Sequence, residues 1–176
     1  TSQGGLEKYL VTHTIQVLND DRAVEASNKI YVPINYSSKL LNIRSRVVMN
    51  DKLISEQGMA DVKKLEEQDV QYYLLALEGV GKGAMVETII YLQLSSMLYA
   101  SEYLQNSTYT RDCQFSIITP DYLVFNTKMY NADVPKSDTV INQKRIISYQ
   151  LKNVSAVEEE KYALENANRA RVEYNF

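Results

Sequence analysis

Residues 72–94 read YYLLALEGVGKGAMVETIIYLQL, and whether this stretch coils or extends decides the fold. Wrapped on a helical period, residues 59–77 and 84–104 each show one apolar side, which would make an α-hairpin about Gly79-Val80-Gly81-Lys82-Gly83. Two features argue for strands instead. Tyr72-Tyr73-Leu74-Leu75-Ala76-Leu77 is apolar all round, and Val86, Thr88, Ile90, Leu92 and Leu94 alternate with Glu87, Ile89, Tyr91 and Gln93. The stretch therefore reads as two long strands joined at the glycines.

The same period of two recurs outward in both directions. On the N-terminal side, Tyr9, Val11, His13, Ile15 and Val17 alternate with Leu10, Thr12, Thr14, Gln16 and Leu18, and Asn19-Asp20-Asp21 then supplies the side-chain carbonyls of a tight connection. Ile30, Val32, Ile34 and Tyr36 form a second strand, whose Pro33 lacks a ladder donor and so suggests an edge. Leu41, Ile43, Ser45, Val47 and Met49 alternate with Asn42, Arg44, Arg46 and Val48 before Asn50-Asp51 turns the chain into a short hairpin. On the C-terminal side, Cys113, Phe115, Ile117 and Thr119 alternate with Gln114, Ser116 and Ile118, and residues 122–130 return as another strand after Pro120-Asp121. Lys136-Ser137-Asp138 reads as a polar turn and residues 146–151 as one more strand. Only residues 157–170, with Glu158, Glu159 and Glu160 early and Arg169 and Arg171 late, have helix character, and they read equally as an acidic loop.

The totals agree with a folded, mainly β chain. Its 176 residues suit one domain with a sizeable core, and no repeat, low-complexity tract or linker divides it. Fourteen tyrosines against three phenylalanines and no tryptophan favour half-buried strand positions. The expected architecture is a single antiparallel β-sandwich over residues 1–176, of about 9–11 strands with little helix. A net charge of −3 without a basic stripe argues against nucleic acid as a partner, and no apolar run approaches a membrane span.

Chemistry is sparse. The single histidine, His13, lies mid-strand, and the single cysteine, Cys113, sits between Asp112 and Gln114 with only Arg111 near enough in sequence to activate it. Both read as ordinary strand positions. The glycine segment fails the phosphate-loop pattern, because Ala76 stands where the first glycine is needed and Gly83 where Ser or Thr is needed. Asp20 and Asp21 lack the spacing of a calcium loop, Glu158, Glu159 and Glu160 point in different directions, and the Asn-x-Ser/Thr triplets at Asn35, Asn106 and Asn153 carry no weight. No catalytic, cofactor or metal residues are expected. The candidate interaction surface is the strand face of Arg44 and Arg46 with the outward tyrosine Tyr91; a plain solvated sheet face is the alternative reading.

The order of pieces resembles a known family. Residues 9–18, Asn19-Asp20-Asp21, Ile30-Tyr31-Val32-Pro33, Leu41-Asn42-Ile43 and Arg46-Val47-Val48, then Leu77-Glu78-Gly79-Val80, Gly83-Ala84-Met85-Val86-Glu87, Phe115-Ser116-Ile117-Ile118-Thr119-Pro120, Tyr130-Asn131, Asn153-Val154-Ser155-Ala156-Val157, Glu160 and Arg171-Val172-Glu173 are similar to a bacterial domain of unknown function, the DUF3857 type, that precedes transglutaminase-like domains in exported proteins. The resemblance runs from about residue 7 to the end. Lys161 departs from an expected proline, and Tyr149 stands in a strand that often carries tryptophan.

The resemblance implies an accessory β-sandwich, the N-terminal part of a longer periplasmic or cell-surface protein, whose partner is a following papain-like domain with the Cys-His-Asp site. No catalytic residue carries over to this chain, and Cys113 does not match the neighbour's nucleophile. The expected function is a non-catalytic interaction module; the alternative is a module binding cell-envelope glycan or peptide through tyrosine faces or an exposed edge. An independent hydrolase would need a nucleophile, base and orienting group that the sequence does not assemble.

Overall fold

Alternating sequences must pair laterally and cover their apolar face with a second layer. The computed structural model describes residues 7–33, 38–67, 70–95, 99–157 and 167–176, and it meets both demands with antiparallel sheets. Among the described residues are thirteen strands, more than the sequence suggested, and one short α-helix. The chain divides into two compact units, Thr1–Ser96 and Met97–Phe176, each made of two sheets.

In the first unit, β1 (Lys8–Val17), β7 (Met85–Leu94), β3 (Ser38–Met49) and β4 (Lys52–Gly58) lie side by side in that order. The second sheet runs β2 (Lys29–Pro33), β6 (Val70–Ala76), β5 (Lys63–Glu67). Leu40, Ile43 and Val47 of β3 and Val86 of β7 pack with Val32 of β2 and Leu75 of β6, so the core lies between the sheets. Burying each such side chain contributes about 1.5–3 kcal/mol. Within this core Ser45 and Thr88, opposite each other on β3 and β7, share a hydrogen bond of 2.9 Å that satisfies both hydroxyls.

Residues 72–94 extend, as the alternation required, but β6 and β7 are not a hairpin: they belong to different sheets. The glycine segment carries the chain from one sheet to the other. Gly79 has φ +70°, and a Cβ there would stand 2.4 Å from Ile54 Cγ2; Gly83 has φ +86° with open space around it. Asn19-Asp20-Asp21 also does more than turn. Asp20 caps α1 (Asp21–Ser27), its carboxylate accepting the Ala23 N–H at 2.7 Å, and this short helix links β1 to β2 in the other sheet. A seven-residue helix is too short to show a period of its own.

Asn50 and Asp51 form the expected two-residue hairpin, with φ of 51° and 59°. Pro33 does lie on an edge strand. In β3 the register shifts between Leu40 and Asn42, so Leu40 is buried and Leu41 faces out, the reverse of strict alternation.

In the second unit one sheet runs β10 (Asn126–Tyr130), β13 (Arg171–Asn175), β8 (Tyr99–Tyr103), and the other β11 (Ser137–Ile141), β12 (Lys144–Val154), β9 (Thr110–Pro120). Ile147, Tyr149 and Leu151 of β12, with Phe115 and Ile117 of β9, pack against Val172 of β13 and Met129 of β10. Two readings are corrected here. Pro120-Asp121 does not make a hairpin, because β9 pairs with β12 and β10 with β13. Ser137 and Asp138 start a strand instead of a turn, and the turn sits at Asn142 and Gln143, with φ of 50° and 62°. Residues 171–175 form the central strand of their sheet. Most of the helix expected over residues 157–170, including Glu158, Glu159 and Glu160, falls outside the described residues, as does Asn35.

Candidate interaction surface

Period two sends one half of each strand outward. On the four-stranded sheet of the first unit the inward set is the core just described, and the outward set gathers Tyr9, Val11, His13, Ile15 and Val17 of β1, Glu87, Ile89 and Tyr91 of β7, and Asn42, Arg44 and Arg46 of β3. Arg44, Arg46 and Tyr91 thus share one face. Arg46 stands directly across from Glu87, Arg44 across from Ile89, and Asn42 across from Tyr91, whose other neighbour is Val11.

Glu87 is the electrostatic centre of this face. His13, one diagonal step away on β1, brings Nε2 to 2.8 Å from Glu87 Oε1, and the Arg46 guanidinium donates from Nε to Glu87 Oε2. These two partners, His13 first, hold the Glu87 carboxyl below its usual range. His13 and Arg46 keep about half of their side-chain surface exposed, so solvent screens the trio and it contributes little to stability. Sequence reasoning placed His13 and Glu87 on strands but could not join them, because strand register is set by pairing that the sequence does not print. The nearest signal was charge of opposite sign on two outward-facing strand positions.

Around the trio the surface is apolar. Tyr9, Val11, Ile15 and Val17 are each more than half exposed, and Tyr91 is 37% exposed. The face can thus offer aromatic and aliphatic area beside a guanidinium pair. The Glu87–His13 contact has the form of a base with an orienting group, yet the same bond spends the imidazole on a carboxylate at the sheet surface.

Other candidates are committed elsewhere. Cys113 lies on β9 in the second unit, opposite Leu151, and burial pushes its thiol pKa up, away from the thiolate that reactivity needs. In the glycine segment the Gly83 N–H donates to the Leu18 carbonyl at 2.7 Å and the Ala84 N–H to the Gly81 carbonyl at 3.0 Å, so these donors bind the chain, not an anion. An open cleft of about 270 Å³ in the second unit is lined by Gln105, Asn131, Lys152 and Ser155 among others. Gln105 donates to the Ser155 carbonyl and accepts the Ala170 N–H, while Asn131 donates to the Ala167 and Arg169 carbonyls. Those amides tie chain segments together. Among the described residues, no three His, Cys, Asp or Glu side chains gather to hold a metal, and no helix is long and apolar enough to cross a membrane.

No protein-family model matches the chain, and no curated protein does. A solved structure, that of a putative protease from Parabacteroides distasonis, is similar at a TM-score of 0.80 and 13% identity. The likeness covers 97% of this chain and 37% of that one. At this identity it establishes a shared fold: both β units of this chain correspond to rather more than a third of a longer bacterial protein.

Proposed function

We propose that this chain is a non-catalytic accessory module that acts by surface complementarity beside a transglutaminase-like, papain-like domain of an exported bacterial protein. The observation that carries the reading is the extent of the structural likeness, since 97% of this chain matches part of a putative protease of more than twice its length. The family resemblance supports the same reading, with the Cys-His-Asp site in a following domain. The outward face of Arg44, Arg46 and Tyr91 is the surface through which the module would pack on that domain or steer its substrate.

The test begins with the coding sequence beyond Phe176. A downstream segment holding a cysteine followed by histidine and aspartate is expected, with its peptidase or acyl-transfer activity reduced when residues 1–176 are removed or when Arg44→Glu and Arg46→Glu are introduced. A stop codon directly after Phe176 would count against the reading, as would full activity without this module.

A second reading rests on Tyr9 and Tyr91 lying on the same face as the two arginines, an arrangement suited to stacking on sugars or gripping a peptide. Titrating the chain with cell-wall glycan fragments and stem peptides separates the two. Saturable binding lost in Tyr91→Ala favours the second; no binding leaves the first.

A further inference from the structure

The four sheets have eight edge strands among the described residues, and seven of them carry a feature that discourages pairing with another chain. β2 has Pro33, β4 has a register shift opposite Val47 and Val48, and β5 has Lys63, Lys64 and Glu66. β9 has Arg111, Asp112 and Pro120; β8, β10 and β11 are five residues long and carry Glu102, Lys128 and Asp138. β1 is the exception. It is ten residues long, holds ten unbroken pairs with β7, and has neither proline, glycine nor an acidic or basic residue in the nine positions after Lys8 other than His13.

Its sequence is also complementary to itself. In an antiparallel pair about a two-fold axis, residues directly opposite must share a face, which restricts the register to those that place odd against odd. The register centred on His13 uses all of residues 9–17. It sets Tyr9 against Val17 and Val11 against Ile15 on the apolar face, with His13 facing its own copy at the centre, and Leu10 against Gln16 and Thr12 against Thr14 on the other. Aromatic with β-branched and threonine with threonine are favourable cross-strand pairs. Shifting towards Thr12 keeps nine residues but sets His13 against Val11 and Lys8 against Gln16, and shifting towards Thr14 shortens the overlap to seven and sets His13 against Ile15.

We propose that β1 is a homodimerisation edge, pairing antiparallel with β1 of a second copy in the register centred on His13 and joining two four-stranded sheets into one of eight. The occupant is a second copy because Tyr9 with Val17, Val11 with Ile15 and Thr12 with Thr14 each pair favourably across the two-fold axis, whereas a charged partner strand would find few ion pairs there. The nine paired residues make an edge about 30 Å long, and one added strand pair belongs with the small interfaces of weak, transient complexes. The expected dimer is weak, with a Kd of about 10 μM. This inference goes beyond the accessory reading and does not depend on it.

Sedimentation equilibrium of the 176-residue chain tests it. The wild type is expected to approach twice the 20.2 kDa chain mass at tens of micromolar. Val11→Lys and Ile15→Glu, both at exposed positions, are each expected to weaken association about 10-fold, through the two symmetric pairs each disturbs, with an unchanged circular dichroism spectrum. Because position 11 faces position 15 of the other copy, the double variant V11K/I15E restores the dimer, and so does mixing the two single variants. A wild type that stays monomeric up to millimolar concentration overturns the proposal. So does a dimer indifferent to Val11→Lys, or one that the double variant fails to restore. A single variant that misfolds leaves the wild-type mass and the other variant to decide.

Discussion

The two units use the same material, paired antiparallel sheets over an apolar core, and differ in where they spend their chain ends and polar side chains. In the first unit the earliest strand, β1, lies at an edge, paired on one side and exposed on both faces along most of its length. In the second the last strand, β13, lies in the middle, with Val172 fully buried and neighbours on either side. Polar groups follow the same division. Glu87, His13 and Arg46 meet on an open sheet face, whereas Gln105, Asn131 and Arg169 bind backbone carbonyls and hold the approach to β13. Arg169 also stacks on Tyr103, 4.7 Å from the ring centroid. A strand at an edge leaves surface for others; a strand at a centre is required for its sheet to hold together.

The sharpest way to break this comparison is to remove residues 171–176. The loss of a central strand is expected to abolish the second unit as a folded body, with hydrogen exchange protection lost in β8, β10 and β12 and retained in β3 and β7. Protection that survives in β12 would show that the last strand is dispensable. Next in size are the two cores. Ile43→Ala and Ile147→Ala, at 1% and 2% exposure, are each expected to cost about 2–5 kcal/mol in denaturant unfolding. The exchange-protected amides that weaken should be those of the mutated unit.

The glycine crossover sharpens the first unit alone. Gly79→Ala faces both a positive φ and Ile54, and is expected to cost about 2–3 kcal/mol; Gly83→Ala faces the backbone cost only, about 1 kcal/mol. Adding Ile54→Ala should recover part of the Gly79→Ala loss and none of the Gly83→Ala loss, and a double-mutant cycle measures the difference.

The smallest effect is at the open face. Glu87→Gln is expected to lower stability by less than about 1 kcal/mol at pH 7. Folding lowers the Glu87 pKa, so its contribution is full above the unfolded value near 4.3 and fades as pH falls through the lower folded value. The Tm gap between wild type and Glu87→Gln should therefore persist at pH 5 and close only as pH falls past the unfolded value and through the lower folded one. A gap that stays open once the Glu87 carboxyl is protonated would show that its charge is not what sets it.

Much of this was legible from residues alone. Alternation at residues 9–18, 41–49 and 86–94 specifies strands because side chains on an extended chain point to opposite faces, whatever lies next to them. Asn50-Asp51 specifies its turn because those residues tolerate the left-handed region. Arg44, Arg46 and Tyr91 were readable as outward positions for the same reason. The strands at residues 63–67, 99–103, 137–141 and 171–175 were not legible: five residues, mixed in character, carry too few repeats to show a period.

What the sequence by itself determined is local: which segments extend, where the chain must bend, and which side chains share a face. Only the tertiary structure decided that β6 and β7 part company, that β13 enters the middle of a sheet, and that His13 and Arg46 converge on Glu87. The reason is physical. A strand's conformation is set by its own residues, but its hydrogen-bonding edges accept any backbone of suitable register, so the choice of neighbour rests with the packing of the whole core.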